Sequence, residues 1–202
     1  KVNSLFPFDA NINLLPYDGE VYYYEQVIEH QLQENYFQRL LQEIDWKHDE
    51  LLLFGKRVIT SRKVAWYADE NFAYSYSNSI KIALKWTATL LELKKIVEAA
   101  TESKYNSCLL NLYHSGEEGM GWHSDNEPEL VNNSSIASLS LGSTRKFAFK
   151  HKESGKKVEL FLEGGSLLDM KGEVQHFWKH ALPKSKKITK PRINLTFRRF
   201  KH

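Results

Sequence analysis

The second half of the chain consists of short runs of β-forming residues that follow one another closely. Gly, Ser, Asn and Pro separate these runs, as at Gly142-Ser143, Ser154-Gly155 and Gly164-Gly165. The runs cover residues 109–113, 136–141, 146–150, 158–162, 166–170 and 193–197. Strands this short and this closely spaced predict an antiparallel sandwich or barrel and disfavour a parallel α/β sheet.

The first half carries the helical patterns. One apolar face recurs at helical spacing near residue 40, and a second pattern covers residues 88–100. The apolar positions are Phe37, Leu40, Leu41 and Ile44 in the first pattern, and Leu90, Leu93, Val97 and Ala100 in the second. Residues 21–24 form a short β-like run after an irregular arm over residues 1–20. The predicted order is therefore helices first and an antiparallel β core after them.

Length and composition restrict the class of protein. A chain of 202 residues is long enough for one well-buried domain. It contains no apolar run of about 20 residues, so we expect no membrane span. Its start lacks the order of charged and apolar residues typical of a signal peptide. Cys108 is the single cysteine, which excludes an intramolecular disulfide and fits a reducing compartment. We expect an intracellular monomer, located in the cytoplasm of a bacterium or the nucleus of a eukaryote.

Basic residues are concentrated in two parts of the sequence. Residues 179–202 hold nine Lys or Arg and no Asp or Glu. A second cluster consists of Lys56, Arg57, Arg62 and Lys63. Separated basic clusters favour a polyanionic partner such as nucleic acid. A solvated surface explains either cluster taken alone.

The residues His123-Ser124-Asp125 offer two metal ligands. Residues two apart in an extended segment point to the same side, so the imidazole and the carboxylate can converge on one ion. A second histidine from a distant strand would complete a facial triad, which leaves coordination positions open and suits non-haem Fe(II). His-x-Asp alone also fits an exposed histidine beside a solvated carboxylate.

The last β run places four polar side chains on one face. Arg192, Asn194, Thr196 and Arg198 share that face by the two-residue period of a strand. The face is either exposed to solvent or, inside a barrel, costly unless it meets a bound anion. A guanidinium matches the geometry of a carboxylate, and 2-oxoglutarate carries two carboxylates.

These motifs, together with Asn111-Leu112-Tyr113-His114-Ser115-Gly116, resemble the AlkB family of nucleic-acid dealkylating dioxygenases. The resemblance covers about 54–200 and is strongest to the animal homologue that repairs double-stranded DNA. It implies an α+β fold with a double-stranded β-helix (jelly-roll) core over about 106–202. The N-terminal extension, over about 1–105, would contribute the helices and a nucleotide-recognition lid to the same single domain.

The resemblance also implies roles for individual residues. His123, Asp125 and His180 would bind Fe(II), with His180 preferred over His176 because it lies twelve residues before Arg192. The residues expected to bind the co-substrate 2-oxoglutarate are Asn111, Tyr113, Arg192 and Arg198, with Asn194 in support. Arg198 would hold the carboxylate far from the metal, and Arg192 the carboxylate that also chelates it.

The implied reaction is O₂-dependent hydroxylation of an N-alkyl carbon, followed by release of formaldehyde. The implied substrates are bases of the 1-methyladenine and 3-methylcytosine type in damaged DNA. Tyr74 and the ring of His123 would enclose the flipped base. The other substrate residues would be Asn126 and Glu127 at the base edge, Phe54 in the gap left by the base, and Arg62 beside the phosphate backbone.

Several alternatives stay open. The same chemistry on RNA, on lipid-linked alkyl groups or on a protein side chain is compatible with the motifs. So is a nucleic-acid-binding module without catalysis, although the complete metal and co-substrate sets argue against it. The segment 151–157 is shorter than the strand-gripping loop of the double-strand homologue, which leaves single-stranded substrates open.

Overall fold

The computed structural model describes residues 11–53, 56–70, 72–76 and 79–201. Within these ranges the chain forms three helices, α1 (His30–Glu43), α2 (Ala88–Thr101) and α3 (Val174–Phe177). The strands of the first half are β1 (Glu20–Tyr24), β2 (Lys47–Leu53), β3 (Lys56–Ala68), β4 (Ala73–Tyr76), β5 (Ser79–Ile82) and β6 (Leu84–Lys85). Those of the second half are β7 (Ser107–Tyr113), β8 (Met120–His123), β9 (Ile136–Gly142), β10 (Arg145–His151), β11 (Lys157–Leu162), β12 (Leu167–Lys171), β13 (Trp178–Leu182) and β14 (Arg192–Arg198).

Most of the strands form two sheets. The larger sheet has the order β1-β12-β9-β14-β7-β3-β2, with the short β6 added in parallel to β3. The smaller sheet has the order β11-β10-β13-β8, and β4 and β5 form a separate hairpin. Apart from the β3–β6 pair, the described strands pair antiparallel. The predicted antiparallel core is confirmed.

Both predicted helices are present and cover the outer face of the larger sheet. Leu40 of α1 and Leu93 of α2 are fully buried in one apolar cluster with Leu110, Leu139 and Leu195 of the sheet. Helix α2 begins at a typical cap, because the hydroxyl of Thr87 accepts a hydrogen bond from the backbone N–H of Leu90. The helices therefore bury one face of the sheet and leave its other face to the smaller sheet.

A second apolar cluster fills the space between the two sheets. Phe147 and Phe149 of the smaller sheet lie in one cluster with Leu168 and Met170 of the larger sheet. The two facing antiparallel sheets form a jelly roll, as the resemblance implied. Within the described ranges, no helix is both long enough and apolar enough to cross a membrane.

The expected division of the chain near residue 106 does not correspond to a boundary between sheets. Strand β1 pairs with β12, and β3 pairs with β7, so strands from both sides of that position form one sheet. Sequence periodicity missed β3 because Lys, Arg, Ser and Thr fill much of it and an irregularity interrupts its pairing with β2. The N-terminal strands therefore belong directly to the jelly-roll core.

Helix α2 provides a matched test of this packing. We expect Leu93→Ala to lower the free energy of unfolding by about 2–5 kcal/mol, because it leaves a cavity in the core. Leu91 lies on the same helix but is 42% exposed, so Leu91→Ala should change that free energy by less than about 0.5 kcal/mol. Urea unfolding of both variants measures the difference. Equal losses would contradict the assignment of the buried face.

Candidate metal centre and its two cavities

Three predicted metal ligands meet at the edge of the smaller sheet. His123 at the end of β8 is the register partner of His180 on β13, and the ring centroids lie 4.3 Å apart. Asp125 follows two residues later, and one potential ligand atom from each of the three residues lies within 4.8 Å of the others. His176 lies instead on α3, where its Nε2 contacts the side-chain oxygens of Asn132 and Asn133. The structure therefore brings His180, and not His176, together with the other two predicted ligands.

The two imidazoles are oriented so that each can offer a nitrogen to a metal. The Nδ1 of His123 donates to the carbonyl oxygen of Gly121 at 2.8 Å, which leaves Nε2 as the nitrogen that can serve as a ligand. Burial lowers the pKa of His180 to about 4, so this ring is neutral near pH 7. Its Nδ1 is buried and makes no hydrogen bond within the described chain. Both rings fit the role of ligands to a cation.

Asp125 supplies the anionic ligand. Burial alone would raise the pKa of this carboxyl group, but the positive charge of Arg198 and the two nearby histidines outweigh burial, so the pKa lies below its usual value. The closest Arg198–Asp125 contact is 3.0 Å, from Nη2 to Oδ1. Two imidazoles and one carboxylate form the 2-His-1-carboxylate set typical of non-haem iron.

A small inner cavity of about 70 Å³ lies beside the three ligands. Its wall includes the polar face of β14 and the residues that pair with that face. Register places Arg192 opposite Tyr113, and Asn194 opposite Asn111, so these side chains share one side of the sheet. The structure thus brings together all the residues predicted to bind the co-substrate, namely Asn111, Tyr113, Arg192, Asn194 and Arg198.

Asn194 is fully engaged by its neighbours. Its amide nitrogen donates to the Ser138 hydroxyl at 2.7 Å and to the carbonyl oxygen of Leu139 at 3.3 Å. Its amide oxygen accepts from the Thr196 hydroxyl at 3.0 Å. These contacts fix the polar face of β14, which agrees with the supporting role expected for Asn194.

Arg192 is a buried cation without a described carboxylate partner. Its Nη2 donates to the Ser140 hydroxyl at 2.9 Å, and its guanidinium lies 5.7 Å from the centre of the Tyr113 ring. Burial lowers its pKa to about 10, so it remains positively charged near pH 7. Its Nε is buried and makes no hydrogen bond within the described chain. An anion in the inner cavity would satisfy this side chain.

Arg145, which the sequence analysis did not select, lies beside the same Tyr113 ring as Arg192. Its guanidinium lies 5.7 Å from the Tyr113 ring centre and donates to the carbonyl oxygens of Ser115, Glu118 and Pro183. These contacts hold together the two loops that follow β7 and β13. Gly116 allows these two loops to lie close together, since a Cβ at this position would overlap the carbonyl oxygen of Ser185.

The positions of the two β14 arginines reverse the expected order. Arg198 contacts the metal ligand Asp125, and its Nη1 lies 3.2 Å from Oε1 of Glu127. Arg192 lies at the opposite end of the strand, beside Tyr113. A carboxylate that chelates the metal must lie next to Asp125 and hence near Arg198. This placement argues against the expectation that Arg198 holds the carboxylate far from the metal, and which arginine holds which carboxylate stays a prediction.

An outer cavity of about 390 Å³ adjoins the inner one at His123 and Asp125. It shares His123, Asp125, Asn111 and Arg198 with the inner cavity. Its remaining polar lining includes Asn126, Glu127, Asp49 and Arg62. The metal ligands thus stand where a small polar cavity meets a larger one that is open to solvent. A molecule bound in the larger cavity would lie close to a metal held by these ligands.

The expected substrate residues are only partly placed by the structure. Asn126 and Glu127 line the outer cavity as predicted. Arg62 is buried, and its contacts to Asp49 and Asn111 place it in the cavity wall and not at the exposed position that the predicted contact with a phosphate backbone assumed. Phe54 lies outside the described residues. The backbone of Tyr74 belongs to β4, and its side chain lies outside the described part of the chain.

Comparison with known proteins agrees with this geometry. The family model of the 2OG-Fe(II) oxygenase superfamily matches residues 20–198. The chain is 37% identical to DNA oxidative demethylase ALKBH2 of Bos taurus over 174 residues, 81% of this chain and 63% of that protein. It is 35% identical to alpha-ketoglutarate-dependent dioxygenase alkB homolog 3 of Bos taurus over 178 residues, 82% of this chain and 60% of that protein. The chain thus spans less than two thirds of the length of these relatives.

A solved structure shows the same fold. The structure titled "The structure of OsALKBH1" superposes with a TM-score of 0.64 at 17% identity, covering 89% of this chain and 97% of that one. A match at this identity concerns the fold alone. The family model covers most of the chain, and both bovine relatives exceed 30% identity. The chain belongs to the 2OG-Fe(II) oxygenase superfamily.

Proposed function

We propose that this protein is an Fe(II)- and 2-oxoglutarate-dependent dioxygenase that removes alkyl groups from bases in DNA as a direct-reversal repair enzyme. The observation that carries this proposal is the position of the three metal ligands between the two cavities. When bound, iron(II), 2-oxoglutarate and O₂ would supply the hydroxylation of an N-alkyl carbon, with succinate, CO₂ and finally formaldehyde as products. The chain's own residues hold the two substrates on opposite sides of the metal.

The inner cavity fits 2-oxoglutarate in one orientation. Arg192, with its unsatisfied Nε, binds the carboxylate far from the metal, and Tyr113 lies beside it. Arg198 stands next to Asp125 and orients the carboxylate that reaches the metal. Asn111, which lines both cavities, donates its amide N–H to the co-substrate.

The outer cavity takes the alkylated base. A base in a duplex must leave the stack to reach a buried reaction centre, and a cavity of about 390 Å³ is within the usual size of a small-molecule site. The names of the similar ALKBH2 proteins support DNA as the substrate. His123, Asn126 and Glu127 contact the base from the metal side of this cavity.

A row of lysines supports a polyanionic partner. Register places Lys150 of β10 beside Lys157 of β11 and beside Lys179 of β13, and all three are exposed. Like charges directly opposite one another in a sheet are destabilising, and none of the three forms an ion pair with a described carboxylate. Phosphates would neutralise this row.

The protein acts as a monomer, because one copy supplies all three ligands and both cavities.

The compartment follows from the substrate. DNA repair places the protein in the cytoplasm of a bacterium or the nucleus of a eukaryote. Cys108, fully buried in β7, suits such a reducing compartment.

Demethylation of defined oligonucleotides tests the function directly. We expect 1-methyladenine in DNA to lose its methyl group, with release of formaldehyde, only when iron(II) and 2-oxoglutarate are both added. Matched single- and double-stranded DNA and RNA measure the strand and sugar preference. Retention of the methyl group in every one of these oligonucleotides would refute the proposal, and loss from RNA alone would replace DNA by RNA as substrate.

The metal ligands are tested by a matched pair of histidine variants. His180→Ala should abolish turnover and weaken metal binding. Loss of a residue that only supports a metal ligand costs roughly 10- to 100-fold in affinity, and loss of the ligand itself should cost more. His176→Ala should keep both properties, because that ring contacts Asn132 and Asn133. Calorimetric titration with Mn(II) measures binding independently of activity. The opposite pattern would show that the wrong histidine has been assigned.

The orientation of the co-substrate is tested with a shortened 2-oxoacid. Arg192→Ala should weaken 2-oxoglutarate binding by about 2–5 kcal/mol and leave binding of 2-oxobutyrate, which lacks the far carboxylate, nearly unchanged. Arg198→Ala should weaken binding of both 2-oxoglutarate and 2-oxobutyrate, because it disturbs Asp125 at the metal. Calorimetry on Mn(II)-loaded protein gives the four affinities. If Arg198→Ala instead weakened binding of 2-oxoglutarate alone, Arg198 would be the residue that holds the far carboxylate, as the sequence suggested.

A further inference from the structure

The pairing of β2 with β3 is irregular beside the outer cavity. His48 pairs with Lys63, whereas Glu50 pairs with Ile59, so extra residues of β3 oppose Asp49. Thr60 stabilises this bulge, because its hydroxyl accepts from the backbone N–H of Asp49 at 3.2 Å and donates to the carbonyl oxygen of Arg62 at 2.9 Å. Bulges redirect side chains and occur often next to active sites. Here the bulge accompanies an arginine that points into the protein.

Arg62 joins two strands inside the cavity wall. Its Nη2 lies 3.0 Å from Oδ2 of Asp49, and its Nε donates to Oδ1 of Asn111 at 3.1 Å. All three residues are buried. A guanidinium has no acceptor, so the oxygen of the Asn111 amide must face Arg62 and its NH₂ group must face away from it.

We propose that Asp49 and Arg62 are positioning residues that hold the Asn111 amide in the orientation required by the co-substrate. They also couple occupation of the outer cavity to binding in the inner one. This inference rests on the proposed function, in which Asn111 donates to 2-oxoglutarate. Asp49 acts through Arg62, and Arg62 acts through Asn111.

The coupling has a physical basis in the shared wall. Asp49 and Arg62 line the outer cavity, and Asn111 lines both cavities. A base that fills the outer cavity displaces water from the Asp49–Arg62 pair, and electrostatic interactions strengthen when water is excluded. The Asn111 amide is then held more firmly as a donor. Because such linkage is reciprocal, bound 2-oxoglutarate also strengthens binding of the alkylated strand.

Binding of 2-oxoglutarate to Mn(II)-loaded protein, measured by calorimetry, tests the pair without turnover. We expect Asp49→Asn to weaken this binding about tenfold, because it removes the charge that holds Arg62. Glu92→Gln is the matched control, since it removes an exposed Arg39–Glu92 pair far from both cavities and should leave the affinity unchanged. Addition of a methylated single-stranded oligonucleotide should raise the affinity of the wild-type protein for 2-oxoglutarate several-fold. The same addition should raise the affinity of the Asp49→Asn protein by a smaller factor.

A double-mutant cycle separates positioning from a general structural effect. In an Asn111→Ala background, Asp49→Asn should cause little further loss of 2-oxoglutarate affinity, because the residue through which it acts is gone. Arg62→Lys serves the same purpose if Asp49→Asn does not fold, since lysine keeps a positive charge but lacks the Nε–H that Asn111 accepts.

Each outcome decides a separate point. Wild-type protein that binds no 2-oxoglutarate would refute the proposed function itself. Wild-type affinity in Asp49→Asn and Arg62→Lys, or an equal loss with and without Asn111, would overturn the positioning role alone. If the oligonucleotide raised the affinity for 2-oxoglutarate by the same factor in the wild type and in Asp49→Asn, the coupling would be overturned.

Discussion

The burial of two arginines on one face of β14 is the constraint on which the rest of the site depends. Strand β14 is central in the larger sheet, between β7 and β9, so its polar face is not solvated as an edge strand would be. Arg198 is balanced by Asp125 and Glu127, whereas Arg192 meets a hydroxyl and an aromatic ring. The two arginines are six positions apart, roughly 20 Å along a strand, so they serve different groups. The strand itself thus defines a metal end and an anion end of the inner cavity.

Arginine–carboxylate contacts connect this strand to the rest of the site. Arg198 joins the metal ligand Asp125 to Glu127 in the outer cavity. Arg62 likewise joins Asp49 in the outer cavity to Asn111, which lines both cavities. Each arginine therefore links a residue that lines only the outer of the two cavities to a residue that lines both. A buried pair of this kind contributes little net stability, because desolvation offsets attraction, and its value here lies in fixed geometry.

The sequence was sufficient where a pattern is local. The two-residue period of β14 and the helical stripe of Leu90, Leu93 and Val97 each follow from neighbouring residues, and both were predicted. The burial of Arg62 could not be predicted, because a basic cluster is normally solvated and the burial depends on Asp49, which a bulge brings opposite it. The positions of Arg192 and Arg198 relative to the metal ligands could not be predicted either, because they depend on how β14 runs past Asp125. That relation arises from strands distant in sequence, and no periodicity records it.

Charge balance gives the site a reason to bind metal and co-substrate together. The two β14 arginines are matched in number by Asp125 and Glu127, so this group of four side chains is neutral before anything binds. A divalent cation alone, or a dicarboxylate alone, would leave two uncompensated charges in a buried region where charge is expensive. Together their charges would cancel, with the metal near the Arg198 end of β14 and the far carboxylate near the Arg192 end. Electrostatics therefore favours joint occupation of the metal centre and the inner cavity, and binding of either one should strengthen binding of the other.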